Sequence, residues 1–179
     1  MQLQDKRRIA VLSAYALVLH GFEAVLPMPV PWLRLGLANI ITLVALLLYD
    51  FKTAMAVTLI RVTLASMFTG TFLGPSFIMS LGGGITSTAA VGVVHAVFRN
   101  LFGPVGLSLV GALFHTLAQL FLAWLLFVQR AAPILIIGPF ILLIGTVTGV
   151  VNGMITGLLM RKLSAEETDN SGSNRLPGT

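Results

Sequence analysis

Long apolar blocks, broken at proline, glycine and charged residues, divide the chain into six segments: 9–26, 34–49, 52–69, 76–98, 104–128 and 133–160. A helix needs roughly 20 apolar residues to cross the hydrocarbon core of a bilayer, with a working range of about 17 to 25. Each block therefore reads as one membrane-crossing helix, the second being short. Pro104 and Pro133 stand at the starts of their segments, where a missing amide hydrogen costs nothing. After Leu163 the pattern stops, because SAEETDNSGSNRLPGT is polar, poor in aromatics and rich in glycine and serine. The expected organisation is an all-α integral membrane protein: a six-helix transmembrane bundle over residues 1–163 and a disordered cytoplasmic tail over 164–179.

Composition strengthens this reading. Hydrophobic residues make up 56% of the 179 positions and charged residues 9%, with a mean hydropathy of +0.96. A soluble domain carries about 25% charged residues, so too little polar surface is present to cover a water-soluble core. Basic residues near the ends of membrane segments favour the cytoplasm. With the N-terminus inside, Lys6, Arg7, Arg8, Lys52, Arg99, Arg161 and Lys162 fall on the cytoplasmic side, against Arg34 and Arg130 outside. Both termini are expected in the cytoplasm, in a multi-pass protein of the cytoplasmic (inner) membrane. The first segment follows basic residues as a signal peptide would, but it has no small-residue cleavage site and reads as a retained helix. The formal charge of +5 lies at segment ends and not along an aromatic-studded stripe, so nucleic acid is not an expected partner. With no cysteine in the chain, disulfides, thiolate metal sites and cysteine nucleophiles are excluded. Neither a metal nor a cofactor is expected.

Small residues mark packing faces. Gly145, Gly149, Gly153 and Gly157 recur every four positions and leave a groove along one face of the last segment. The run SLGGGITSTAAVG in the fourth lets a neighbour or a ligand approach its backbone, and Gly82 to Gly84 are expected to loosen that helix locally. Ala10 and Ala14 share a face of the first segment, a common arrangement by itself.

An ionisable group at the bilayer centre costs roughly 2.5 to 3.5 kcal/mol on insertion scales and needs a partner or a cavity. Arg61 lies halfway along the third segment. Two readings are open: a structural ion pair with Glu23, or a guanidinium facing a ligand cavity with Glu23 at its rim. His115 and Gln119 share a face of the fifth segment and suit either a common cavity or interhelical hydrogen bonds. His20 sits one turn before Glu23 and could join an outer cluster, whereas Asn152 reads as interhelical glue. The stretch LPMPVPWLRLGLANI forms a stiff outer connection, since its prolines cannot build a helix there. Trp32 suits the interface, and Arg34 opens the second segment with Asn39 following. A lid over a binding site would look like this, and so would plain anchoring at the headgroups.

LRLGLANIITLVAL, LIRVTLASMFTGTFLGPSFIMSLGGG and GALFHTLAQL together resemble a bacterial membrane family known both as heptaprenyl diphosphate synthase component I and as Gx transporter. The resemblance runs from about residue 9 to 162. That family is similar to the substrate-binding S components of energy-coupling factor transporters, which have six helices, cytoplasmic termini, a capping first loop and a site near the outer face. The resemblance implies an S-component-like subunit of an importer that captures a small anionic or polar metabolite or vitamin-like compound. Candidate binding residues are Glu23, Arg34, Asn39, Arg61, His115 and Gln119. It also implies docking of an energy-coupling membrane protein and its ATPase subunits, with Ala10 and Ala14 as the docking face. Arg61, Glu23 and His115 match the ligand contacts of no one vitamin-specific S component, so the substrate does not transfer. The other name implies an alternative, an accessory scaffold for a prenyl diphosphate synthase or for a quinone or flavin redox assembly.

Prenyl chain elongation requires aspartate-rich clusters that hold magnesium against diphosphate. The three aspartates here, Asp5, Asp50 and Asp169, are scattered, and no glycine loop ending in lysine offers a phosphate cradle. The expected protein is not an enzyme. Arg61→Leu should abolish uptake by whole cells while Arg61→Lys preserves part of it, since lysine keeps the charge but loses the planar fork; equal uptake by all three proteins would remove Arg61 from the site.

Overall fold

The computed structural model describes residues 3–25, 38–98, 101–128 and 131–173. Among these, six α-helices follow in order: α1 (Leu3–Val25), α2 (Ala38–Leu48), α3 (Phe51–Phe68), α4 (Pro75–Val97), α5 (Pro104–Ala123) and α6 (Ala131–Ser173), with a π-helical turn at Trp124–Val128 extending α5. Helices are the expected solution in lipid, because each backbone donor and acceptor is satisfied within its own segment. Among the described residues, four helical segments, at 51–68, 75–97, 104–126 and 136–165, are long and apolar enough to cross a membrane. α2 is apolar but spans only 11 residues, roughly 16 Å at 1.5 Å per residue.

Local chemistry sets several of the boundaries. Asp50 caps α3 by accepting a 2.7 Å hydrogen bond from the Thr53 backbone N–H. Thr53, through its side chain and then its backbone, holds the Asp50 carboxyl below the ordinary carboxylate range, with Lys52 adding to the effect. A depressed carboxyl contributes at neutral pH and loses its contribution as acidification protonates it. α3 ends in a Schellman turn: Thr71 N–H donates to Ser66 O at 2.9 Å and Gly70 N–H to Met67 O at 3.3 Å. The turn places Gly70 at φ +66°, where a side chain would be strained. Pro75 and Pro104 occupy the first turns of α4 and α5, behind Gly74 and Gly103.

The helices α2, α3, α4, α5 and α6 form a closed ring, each touching the next and α6 returning to α2, while α1 packs outside it against α2 and α3. α2 is buried along most of its length, with Ile40 and Thr42 to Leu46 all buried, as expected of a helix apolar on most of its surface. α1 is two-sided: Ile9, Ser13, Ala16 and His20 face the ring, and Val11, Tyr15 and Val18 face outward. Arg8 lies 5.1 Å from the Tyr49 ring centroid, a cation–π contact joining the start of α1 to the end of α2.

The glycine faces act as packing surfaces. A Cβ at Gly145 would lie 2.7 Å from Thr116 Oγ1, one at Gly149 2.8 Å from Ala112 Cβ, and one at Gly153 2.5 Å from Val105 Cα. The α6 stripe therefore receives α5 at backbone distance. In α4 the glycines serve two neighbours at once, Gly82 and Gly83 lying under Leu122, His115 and Gln119 of α5 and Gly84 under Thr58 of α3. The expected loosening of α4 is not seen, as the helix runs unbroken through Gly82–Gly84, tight contacts on both sides offsetting the intrinsic cost of glycine. Beyond Leu163, α6 continues as helix through Ser173.

Gly153→Ala should force α5 from α6, because the added methyl meets backbone, whereas Gly157→Ala should be accepted, its nearest neighbour being Pro104 at 4.0 Å. Thermal unfolding in detergent should show a loss of about 1 to 3 kcal/mol for the first and little for the second. Equal stability of the two variants would contradict this packing.

Candidate functional site

Within the ring lies a narrow cleft, partly open to the surroundings, with a cavity volume of about 50 Å³. Four helices each contribute one face, and α3 adds Ala54. α2 supplies Asn39, Thr42, Leu43 and Leu46, spaced i, i+3, i+4 and i+7. α5 supplies Ser108, Gly111, Ala112, His115, Thr116 and Gln119, a single stripe three turns long. α4 adds Ser87, Thr88 and Val91, and α6 adds Ile144, Gly145, Thr148 and Asn152. Apolar walls with a small number of convergent polar groups are the usual make-up of a small-molecule pocket.

Polar order in the cleft comes from two motifs. In the first, Thr58 of α3, fully buried, lies 3.2 Å from Thr42 Oγ1 and 3.1 Å from Thr88 Oγ1, so three hydroxyls link α2, α3 and α4. Gly84 makes this possible, since a side chain there would fall 2.9 Å from the Thr58 methyl. In the second, Arg61 Nη2 donates to Asn39 Oδ1 at 3.0 Å. Arg61 is buried at 5% exposure about seven residues, or ~10 Å, from the Phe68 end of α3. Asn39 lines the cleft, and Arg61 stands behind it.

Three of the residues expected to bind substrate therefore converge on one cleft: Asn39, His115 and Gln119. Arg61 is not among the described lining residues and hydrogen-bonds to Asn39, which is. The Glu23 side chain and Arg34 lie outside the described residues. His20 faces a smaller hollow of about 10 Å³ between α1, α3 and α4, lined also by Ser66, Thr69, Thr71, Ser76 and Ser80. Two of those hydroxyls are committed to backbone, Ser66 to Thr63 O at 2.8 Å and Thr69 to Ala65 O at 2.9 Å. Ala10 and Ala14 are exposed on the outward face of α1.

Sequence reasoning missed the hydroxyl lining: Thr42, Ser87, Thr88, Ser108, Thr116 and Thr148. A signal was available in the spacing, for Ser108 and Thr116 fall on the same face of α5 as His115, and Thr42 lies one turn beyond Asn39. Asn152, read as interhelical glue, also borders the cleft.

A bundle of membrane-crossing helices closed around a polar-lined cleft is the architecture of a multi-pass membrane protein with an S-component fold. A solved structure described as the S component of a bacterial ECF transporter superimposes with a TM-score of 0.72 at 20% sequence identity, covering 92% of this chain and 98% of that one. The chain belongs to the heptaprenyl diphosphate synthase component I family, whose model matches residues 12–159. No curated protein matches it in sequence.

Thr58→Val removes the central hydroxyl with little change in shape. It should lower stability in detergent by about 0.6 kcal/mol and at most roughly 1.7 kcal/mol, the range found for interhelical hydrogen bonds in membranes, while Thr58→Ser retains most of it. A valine variant as stable as the parent would show that the hydroxyl chain contributes nothing.

Proposed function

We propose that this protein is a substrate-binding, S-component-like membrane subunit of an importer for a small polar metabolite. The observation that carries the reading is the cleft itself: a narrow cavity of about 50 Å³ bordered by side-chain hydroxyls, amides and an imidazole, inside a fold shared with a transporter S component. An ionisable group at membrane depth, here His115, marks a substrate pathway by default, because it is costly unless something meets it. The cleft is narrow, so a bound molecule parts the helices that line it. Energy comes from a partner, an energy-coupling membrane protein with ATPase subunits, docking on the outward face of α1 at Ala10 and Ala14. Small side chains there allow backbone-level approach of another helix. The chain is a binding subunit and not an enzyme.

A second reading rests on the family description. In it the protein is an accessory subunit of heptaprenyl diphosphate synthesis or of a quinone or flavin redox assembly, anchoring a soluble prenyl synthase at the bilayer. Purification from native membranes in mild detergent separates the two. The import reading expects a retained small molecule and co-purifying coupling subunits, and recovery of neither overturns it; capture of a prenyl synthase instead establishes the second. Ala10→Leu combined with Ala14→Leu should reduce recovery of coupling subunits without moving the unfolding midpoint, because both positions are exposed. Unchanged recovery removes that face from the interface.

A further inference from the structure

The Arg61–Asn39 hydrogen bond constrains what the cleft accepts. A guanidinium carries donors only, so the atom that Asn39 turns toward Arg61 is its carbonyl oxygen, held at 3.0 Å. A carboxamide whose oxygen is engaged by a cation has its NH2 group left to offer. Asn39 borders the cleft, whereas Arg61 lies behind it and does not. The positive charge is therefore one side chain removed from any occupant.

We infer that Arg61 is a positioning residue that holds the Asn39 carboxamide with its NH2 toward the cleft, so that Asn39 selects an uncharged molecule through a hydrogen-bond acceptor such as an amide carbonyl or a ring nitrogen. This rests on the substrate-binding reading and narrows its substrate class. The surrounding groups suit the same chemistry. Gln119 offers both a donor and an acceptor across the cleft. Thr42 and Thr88, the ends of the hydroxyl chain, can each donate or accept, because the direction of the chain through Thr58 reverses by rotation of three O–H bonds. Among the described lining residues none is Asp, Glu, Lys or Arg. An anion entering here would give up its hydration and meet Arg61 only by displacing Asn39, whereas an uncharged molecule needs only to exchange hydrogen bonds.

The experiment uses the full chain in detergent, with a total small-molecule extract of the expressing cells divided by ion exchange into uncharged, anionic and cationic fractions. Each fraction is titrated while the thermal unfolding midpoint is followed. The uncharged fraction should raise the midpoint of the parent protein, and Asn39→Asp should require roughly tenfold more of it or beyond. The carboxylate introduced by that substitution would still accept from Arg61, so the midpoint of the variant without extract should not fall. Arg61→Gln, which lets the carboxamide flip, should weaken the response although Asn39 is intact, and Arg61→Lys, which still donates, should restore much of it. This second pair keeps the test decisive if Asn39→Asp does not fold. Stabilisation by the anionic or cationic fraction alone, or a response to the uncharged fraction unchanged in Asn39→Asp and Arg61→Gln, overturns the inference while leaving the binding reading in place. No response to any fraction overturns the binding reading itself.

Discussion

A polar side chain inside a bilayer needs a polar neighbour, and this constraint organises the protein. Arg61 is its most demanding instance. A guanidinium about two turns from the nearest end of α3 cannot easily extend to the headgroups, and Asn39 of α2 meets it at 3.0 Å. The same requirement joins Thr42, Thr58 and Thr88 across three helices. Apolar side chains have no comparable preference between lipid and a neighbouring helix, so they fill the outer face, with Leu117, Phe121, Leu143 and Val147 all exposed there.

Close approach is what allows so many short polar groups to meet. Serine and threonine hydroxyls reach only a few ångströms from the backbone, and helices separated by large side chains would hold them apart. The glycines of α4 and α6 remove that obstacle, bringing α5 against both neighbours and α3 against α4. Packing and polarity are thus one design: glycine stripes set the spacing, and the hydroxyls and amides that the spacing brings together border the cleft. The outward face of α1 lies outside this ring, which leaves it available without disturbing the cleft.

Much of the fold was legible in the apolar blocks. The expected segments 52–69 and 76–98 lie within one residue of α3 and α4, because proline, glycine and the Asp50 cap punctuate the chain sharply at those points. α1 begins earlier than expected, since Lys6 to Arg8 are good helix formers outside the apolar block, and α6 runs past Leu163 to Ser173, where Ala165 to Glu167 favour helix and Thr168 to Ser173 do not. The site was less legible. Depth alone marked Arg61 as needing company, but its contact with Asn39 depends on how α2 is set against α3, and no periodicity within either helix contains that information. His115 and Gln119 were found because their side chains are distinctive; the threonines were passed over because a hydroxyl in a membrane helix can be satisfied by its own backbone, as Thr146 is by Leu142 O at 2.8 Å.

The absence of cysteine from the chain provides a direct test of the central claim, that the interior of the ring is a polar cleft and its exterior a lipid face. Thr148 and Val147 are adjacent on α6, the first bordering the cleft and the second 57% exposed on the outside. A single cysteine at each, challenged in membranes with a small charged thiol reagent, compares the two environments at one depth, because reaction needs a thiolate and therefore water. The account predicts that Thr148→Cys is modified and Val147→Cys is not. Modification of Val147→Cys at the same rate, or inertness of Thr148→Cys, would contradict it.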